Sequence, residues 1–285
     1  LDAPIERYLK KPLPEYEKYA DLRNDPRWKM FTPRMLLSHT SGLPNFRFFT
    51  KAGTYEPEHP LWIEFKPGSR YAYSGEGINL LQFVLESGLG LDVGALMRER
   101  IFEPLGMTRT SMVWRDDFAA DLAQGYDESG KLVGHNARRG VRAAGSADST
   151  IHDMARFLRA TLRRETISGR FREAMLKPHV RIRSAHEFPT LDEATTSRDD
   201  RVSLSYGLGW GVLKTPHGRA FFKGGHDDGW ENYMIGFDKS GTGVVFMTNS
   251  SNGESIFKEL LATLIGDTYT PWEWEGYIPW NAAVR

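Results

Sequence analysis

Two short stretches of this chain combine an ionisable side chain with backbone that a ligand can reach. Lys223-Gly224-Gly225 follows the run Arg219 to Phe222. A lysine before two glycines sets a cation beside backbone that no Cβ shields. The same triplet also reads as an edge-strand lysine running into a loop. The second stretch, Tyr71-Ala72-Tyr73-Ser74-Gly75-Glu76-Gly77, leads into an amphipathic run with Leu80, Leu81, Val84 and Leu85 inward. A tyrosine and serine at a helix start sit where backbone N–H groups lack partners and the helix dipole is positive. Such a place stabilises a phenolate and suits Tyr73 to act as a base near neutral pH. A buried tyrosine with a satisfied hydroxyl is the alternative reading.

Other reactive residue types give weaker signals. Ser38 and His39 are adjacent on a helix and point in different directions, so they do not make a nucleophile–base pair. They are expected to tie down a tight exit from helix to loop at Ser38-His39-Thr40-Ser41-Gly42-Leu43-Pro44. The eight histidines show no His-x-x-x-His pair, which argues against a metal-dependent hydrolase. The absence of cysteine excludes disulfides, thiolate metal sites and a cysteine nucleophile. Lys plus Arg and Asp plus Glu both number 37, a balance that argues against nucleic acid or an acidic membrane as the main partner. No apolar run reaches the length of about 18 residues that a membrane helix needs.

The elements that must position these groups are legible in outline. Trp230 to Phe237 alternates with period two, Trp230, Asn232 and Met234 on one side and Tyr233, Ile235 and Phe237 on the other. Asp238-Lys239-Ser240-Gly241 is turn chemistry, and Val244 to Met247 is a β-branched strand, so Arg219 to Asn249 reads as a three-stranded meander. Thr32-Pro33 starts a helix, Pro67-Gly68 makes a turn of type II, and Asp92 to Phe102 is a further helix that Pro104 stops. Leu122–Tyr126 and Lys131–Val133 flank a hairpin turn, and Ala143-Ala144-Gly145-Ser146 lets backbone pass close to a neighbour. Thr150 caps a helix from Ile151 to Leu162 with Ile151, Met154, Ala155, Leu158 and Leu162 inward. Residues 178–205 form a polar excursion expected to be a lid or rim. Tyr206 to Leu213 returns to strand, and Ser255 to Ile265 is a helix expected to pack Ile256, Phe257, Leu260, Leu261 and Leu264 on the sheet. One domain over 1–285 is expected, with a mainly helical lobe at 1–205, the meander and last helix at 206–265, and a tail at 266–285.

The collinear order SHTSGLP (38–44), PGSRYAYSGEGINLLQ (67–82), IFEPLGM (101–107), AAGSADSTIHDMARFL (143–158), YGLGWGV (206–212) and FKGG…GVVFMTNSSNG (222–253) resembles the serine hydrolases related to class C β-lactamases. That family includes penicillin-binding DD-peptidases and β-lactamase-fold esterases. The resemblance implies an α/β (α+β) sandwich: an antiparallel sheet flanked by helices, plus a mainly helical lobe, with the active site between them. It implies no cofactor and a small-molecule ester or amide as the partner. By the resemblance Tyr73 is a general base or proton relay. Lys223 helps hold Tyr73 deprotonated and attracts a substrate carboxylate. Ser74, Gly75, Gly224, Gly225 and the backbone N–H of His226 belong to the substrate-binding and oxyanion part of the site.

Two departures shape the expectation. Gly75 stands where the family usually has Asn, which leans the reading toward an esterase and away from a β-lactamase. The family's Ser-x-x-Lys nucleophile is expected some tens of residues before the stretch matching Leu1–Leu9. The only Ser-x-x-Lys here, Ser255-Ile256-Phe257-Lys258, opens the last helix and is read as a helix cap. The chain is therefore expected to be a truncated form lacking the first strands and central helix. It should expose a sheet edge and an apolar groove, which self-association or a swapped segment would close. A non-catalytic binding member of the same fold is the alternative function.

Overall fold

The computed structural model describes residues 1–165 and 168–282. Its helices are α1 (Pro33–Leu37), α2 (Gly75–Phe83), α3 (Val93–Met97), α4 (Ile151–Arg163), α5 (Gly169–Leu176), α6 (Phe257–Ile265) and α7 (Trp272–Glu275). Its strands are β1 (Gly125–Tyr126), β2 (Leu132–Val133), β3 (Val180–Arg181), β4 (Ser205–Tyr206), β5 (Gly211–Thr215), β6 (Gly218–Asp227), β7 (Trp230–Phe237) and β8 (Thr242–Thr248). Strands β3 to β8 form one antiparallel sheet in sequence order, and β1 and β2 form a small hairpin. The class is α+β, as the resemblance implied.

The sheet separates two packed faces. Phe222 pairs with Ile235 and Gly224 with Tyr233, so those residues share one face, which buries Ala220, Phe222, Tyr233, Ile235 and Phe237 against Phe257 and Leu261 of α6. Phe221 and Met234 lie on the other face against Leu158 of α4 and Leu176 of α5. A separate core of Ile5, Leu13, Tyr19, Leu22, Trp28, Phe31, Leu36, Leu43, Leu61, Ile63, Leu80 and Val84 holds the first ninety residues together. No single helix among the described residues is long and apolar enough to cross a membrane.

Several elements follow their local chemistry. Thr32 caps α1 by accepting from the Met35 N–H, and Asp92 caps α3 by accepting from Ala95. Gly68 has φ +87, the positive value a type II turn demands. The exit of α1 is a Schellman motif: Thr40 N–H donates to Met35 O at 2.9 Å and His39 N–H to Leu36 O at 3.4 Å. His39 takes the left-handed position, φ +53, that glycine normally fills.

Other expectations are corrected. Lys223-Gly224-Gly225 does not run into a loop, because β6 stays paired with β7 as far as Asp227. Tyr206 to Leu213 is not one strand; it breaks between β4 and β5, where Gly209 has φ +82 and Gly207 passes Met175 O too closely for any Cβ. Helix α4 is turned so that Ile151 and Ala155 face solvent, while Leu158, Ala160 and Thr161 are buried. Helix α6 begins at Phe257, and Ile256 and Leu264 are exposed. Residues 266–282 are no tail. Trp274 is 1% exposed and lies against Tyr71 and Phe222, its Nε1–H donating to Ser184 Oγ at 3.0 Å. Strand β8 ends the sheet, so an edge is present as expected. The sheet face beside α6, however, is filled by Trp272 and Trp274 and is not an open groove.

Two stability measurements follow from these packing relations. Trp274→Ala is expected to cost about 3–5 kcal/mol in urea unfolding, the range for deleting a fully buried aromatic, where a loose tail would give almost nothing. His39 is buried, and its pKa is lowered to about 3 by that burial and by the charge of Lys223. Its folded-state pKa lies below the unfolded value, so the unfolded chain binds the extra proton and stability falls as pH drops below about 6.5. Between pH 6.5 and 5 this one residue should remove about 2 kcal/mol, a loss that His39→Asn should abolish when unfolding is compared at the two pH values.

Candidate active site

The two ionisable groups singled out from the sequence meet. Lys223 Nζ lies over the ring of Tyr73, 4.7 Å from its centroid, and donates to the carbonyl of Gly224 at 2.8 Å. Both side chains are half-buried. Burial works against the ammonium, yet Tyr73 and the carboxylate of Glu187 hold its pKa above the ordinary lysine value. Lys223 therefore stays charged across the neutral range.

Tyr73 is fixed from its own backbone outward. The next residue, Ser74, caps α2: its Oγ accepts from Gly77 N–H and donates to Pro44 O, both at 2.8 Å. Ser74 N–H donates to His39 Nδ1 at 3.1 Å, which places the imidazole proton on Nε2. The neutral His39 ring then packs 4.3 Å from the Tyr73 ring. Phe188, from the 178–205 excursion, meets the Tyr73 ring edge to face at 5.9 Å. The Ser38-His39 pair is thus structural, and the Ser74 hydroxyl is wholly committed to the cap.

Gly75 has a local steric cause. A Cβ there would stand 2.8 Å from Phe46 Cε1 and 2.9 Å from Asn45 O. The Gly75 N–H donates to Asn45 Oδ1 at 3.0 Å, so an amide side chain from the neighbouring loop occupies this place. Gly224 and Gly225 differ, since a Cβ on either would meet only ordinary contacts at 4.0 and 3.9 Å. Packing within the chain does not require glycine at those two positions, and their faces are open.

The backbone beyond Phe222 is open as well. Strand β5 pairs with β6 only as far as Phe222, whereas β7 follows β6 to Asp227. From Lys223 onward β6 is an edge on the β5 side, and half of its backbone groups point away from any strand. His226 lies on this stretch with its ring exposed and its Nδ1 paired to the Glu231 carboxylate, which raises its pKa above the usual value.

Sequence reasoning missed three buried carboxyl groups here, of which Glu187 and Glu275 act on the lysine and Glu254 lies beside Glu187. Glu187 on the excursion is raised above the normal range by burial and offset by Lys223. Glu275 on α7 is raised well above it by burial and by the neighbouring Glu187, and accepts from Tyr233 OH at 3.3 Å. Glu254 is raised to about 7 by burial and by Glu231 and Glu187. Glu187 lies on the irregular excursion, Glu254 in a short 3-10 turn and Glu275 at the end of the short α7, and no periodicity or motif marks any of them. The nearby Ser-x-x-Lys is not part of the site. Ser255 Oγ donates to Asn252 O at 2.6 Å inside a short 3-10 turn without capping α6, and Lys258 lies over the Tyr277 ring. Among the described residues no three His, Asp or Glu side chains converge as a metal site would require.

Comparison with known proteins agrees with this architecture. The family model described as Beta-lactamase matches residues 1–265. Penicillin-binding protein 4* of Bacillus subtilis (strain 168) is 24% identical over 277 residues, which span 84% of this chain and 56% of that protein. A D-aminopeptidase of Brucella anthropi is 27% identical over 68% of this chain and 35% of its own length. The chain thus spans about half or less of these curated relatives. Among solved structures, the octameric penicillin-binding protein homologue from Pyrococcus abyssi superposes with a TM-score of 0.71 at 22% identity, covering 94% of this chain and 60% of that one. A D-stereospecific amidohydrolase from Streptomyces sp. gives 0.66 at 21% identity, covering 94% and 79%. With the family model matching almost the whole chain, this protein belongs to the Beta-lactamase family, whose relatives here include hydrolases.

Proposed function

We propose that this chain forms most of the active site of a serine hydrolase that transfers an acyl group from an ester or amide to a serine and then to water. The observation that carries the reading is the Lys223 ammonium 4.7 Å from the Tyr73 ring. In this reading Tyr73 takes the proton of the attacking serine hydroxyl, and the serine oxygen bonds to the substrate carbonyl carbon. As the bond to the leaving group breaks, that group receives the proton from Tyr73. Water then repeats the sequence on the acyl-enzyme and releases the acid. The ammonium of Lys223 favours the phenolate at each turn, and the open backbone of β6 near Gly225 and His226 supplies oxyanion donors. Ser74 orients Tyr73 from behind and does not touch substrate.

The hydroxyls of Ser74 and Ser255 are both committed to backbone carbonyls. The nucleophile in this proposal is the serine of the family's Ser-x-x-Lys motif, a role that neither of these two hydroxyls is free to take. Preference for esters over β-lactams is supported by Gly75, whose crowded Cα cannot present the side-chain amide that the family's β-lactamases use. A non-catalytic binding role is the competing reading, favoured by the commitment of the Ser74 and Ser255 hydroxyls and by Gly75.

The test uses p-nitrophenyl butyrate and nitrocefin, assayed on the 285-residue chain and on the polypeptide encoded together with its upstream sequence. The longer polypeptide is expected to turn over the ester faster than the β-lactam. Tyr73→Phe and Lys223→Ala should each lower kcat/KM by about 100-fold or more, the scale of a lost general base or its electrostatic support. Turnover by the 285-residue chain alone that disappears in Ser255→Ala would overturn the assignment of the nucleophile. Full activity in Tyr73→Phe would overturn the reading of the site.

A further inference from the structure

The equal totals of basic and acidic residues average over the whole chain and hide a local excess. From Met154 to Arg172 there are six arginines and a single acidic residue, Glu165. Two of the six are engaged inside the fold. Arg156 pairs with Asp153 at 2.9 Å and donates to Gly106 O at 2.7 Å, while the buried Arg172 pairs with Asp238. The other four, Arg159, Arg163, Arg164 and Arg170, are exposed. Among the described residues none of their guanidinium groups meets a carboxylate or donates a hydrogen bond.

Packing gathers the four on one corner of the molecule. Arg159 and Arg163 are four residues apart on α4, so their Cβ atoms are neighbours on one face, about 5–6 Å apart. Leu158 and Thr161 turn the opposite side of that helix into the core. The start of α5 is held against the end of α4, because Arg172 Nε donates to Thr161 O at 2.6 Å. With Arg172 pointing inward, Arg170 and Phe171 turn outward, and the Phe171 ring is 62% exposed beside the arginines. Local structure explains only part of this charge. Arg163 and Arg164 complement the negative end of the α4 dipole, but Arg170 stands in the first turn of α5, where a cation is unfavourable.

We propose that the corner made by the end of α4 and the start of α5 docks on a bilayer surface rich in anionic phospholipid. Guanidinium groups bind phosphate through two parallel N–H bonds, so unpaired arginines suit a layer of phosphate headgroups. The exposed phenyl ring selects among phosphate-bearing partners. A soluble phosphate would leave Phe171 in water, whereas the boundary between headgroups and acyl chains lies just beneath the lipid phosphates and accepts an apolar ring. The contact is peripheral, needs no membrane-spanning helix and does not depend on the hydrolase reading.

Co-sedimentation of the 285-residue chain with lipid vesicles tests this. At low ionic strength the chain is expected to bind vesicles of equal parts phosphatidylcholine and phosphatidylglycerol at least about tenfold more tightly than vesicles of phosphatidylcholine alone, the scale of several basic groups at a charged surface. High salt should remove most of that difference. Arg159→Gln and Arg163→Gln should each weaken binding to the anionic vesicles by about fivefold, and Arg159→Lys and Arg163→Lys should keep most of it. These side chains are exposed and Gln and Lys are good helix formers, so the variants retain the fold. Phe171→Ser should weaken vesicle binding a few-fold by removing the ring from the boundary. Equal affinity for the two kinds of vesicle, no binding to either, or unchanged affinity in both Gln variants overturns the proposal. Tighter binding to duplex DNA than to anionic vesicles at the same salt would overturn it in favour of a nucleic acid, and so would full vesicle affinity in Phe171→Ser overturn the choice of a bilayer.

Discussion

The contact on which this structure depends is the approach of one ammonium to one phenol across the junction of two separately packed cores. Lys223 belongs to the sheet, whose register through β6 and β7 fixes it opposite Met234. Tyr73 directly precedes Ser74, the cap of α2, whose Leu80 is sealed in the core of the first ninety residues. The Tyr73 ring itself packs against the sheet core. The junction is made by aromatic packing, with Tyr71, Tyr206, Trp274 and Phe222 forming a chain of rings from the end of the loop to the sheet. An error in that packing would move the phenol relative to the amine.

The same junction explains why His39 is neutral and why that is useful. Its ring lies between Tyr73 at 4.3 Å and Tyr206 at 4.8 Å, a place with little room for water. A charged imidazole there would repel Lys223 and lose its acceptor at Nδ1, releasing the Ser74 N–H that orients the start of α2. By keeping the histidine uncharged, burial secures the hydrogen bond that positions Tyr73. The desolvation that destabilises the chain at low pH is therefore the same desolvation that holds the phenol in place.

Much of this arrangement could be read from residue types. The alternation of Trp230 to Phe237 predicted β7 and its two faces, and Thr32, Ser74, Asp92 and Thr150 marked helix starts because each side-chain oxygen accepts from a backbone N–H three residues on. What escaped was set by distant parts of the chain. The face of α4 depends on Gly243 allowing Leu158 close to β8, where a Cβ would stand 2.7 Å from Leu158 Cδ2, so Ile151 and Ala155 turn outward against their own pattern. Helix α5 carries no strong apolar stripe, because its buried Arg172 pairs with Asp238 and with Thr161 O. The Trp-Glu-Trp-Glu run at 272–275 looks like a polar end, yet it supplies the wall of the site. Of the site itself, Tyr73 and Lys223 were visible because glycines and a helix start surround them. Glu187 and Glu275 were not, since a lone glutamate on an irregular segment has the same signature whether solvated or buried.

Gly75 shows how a residue-by-residue comparison can mislead without the packing. Set against the family pattern it reads as a deletion, a missing amide in an otherwise intact motif. In the structure it is a consequence: Asn45 and Phe46 press on its Cα, Asn45 Oδ1 takes its N–H, and Asn45 O takes the N–H of Glu76 at 2.8 Å. The loop that carries them is held by Arg47, which pairs with the buried Glu76 carboxylate at 3.0 Å. Restoring a side chain at position 75 would thus require moving that loop and breaking the ion pair beneath it. The residue type at 75 is decided by the conformation of residues 45–47, because the loop has already taken the room that a side chain there would use.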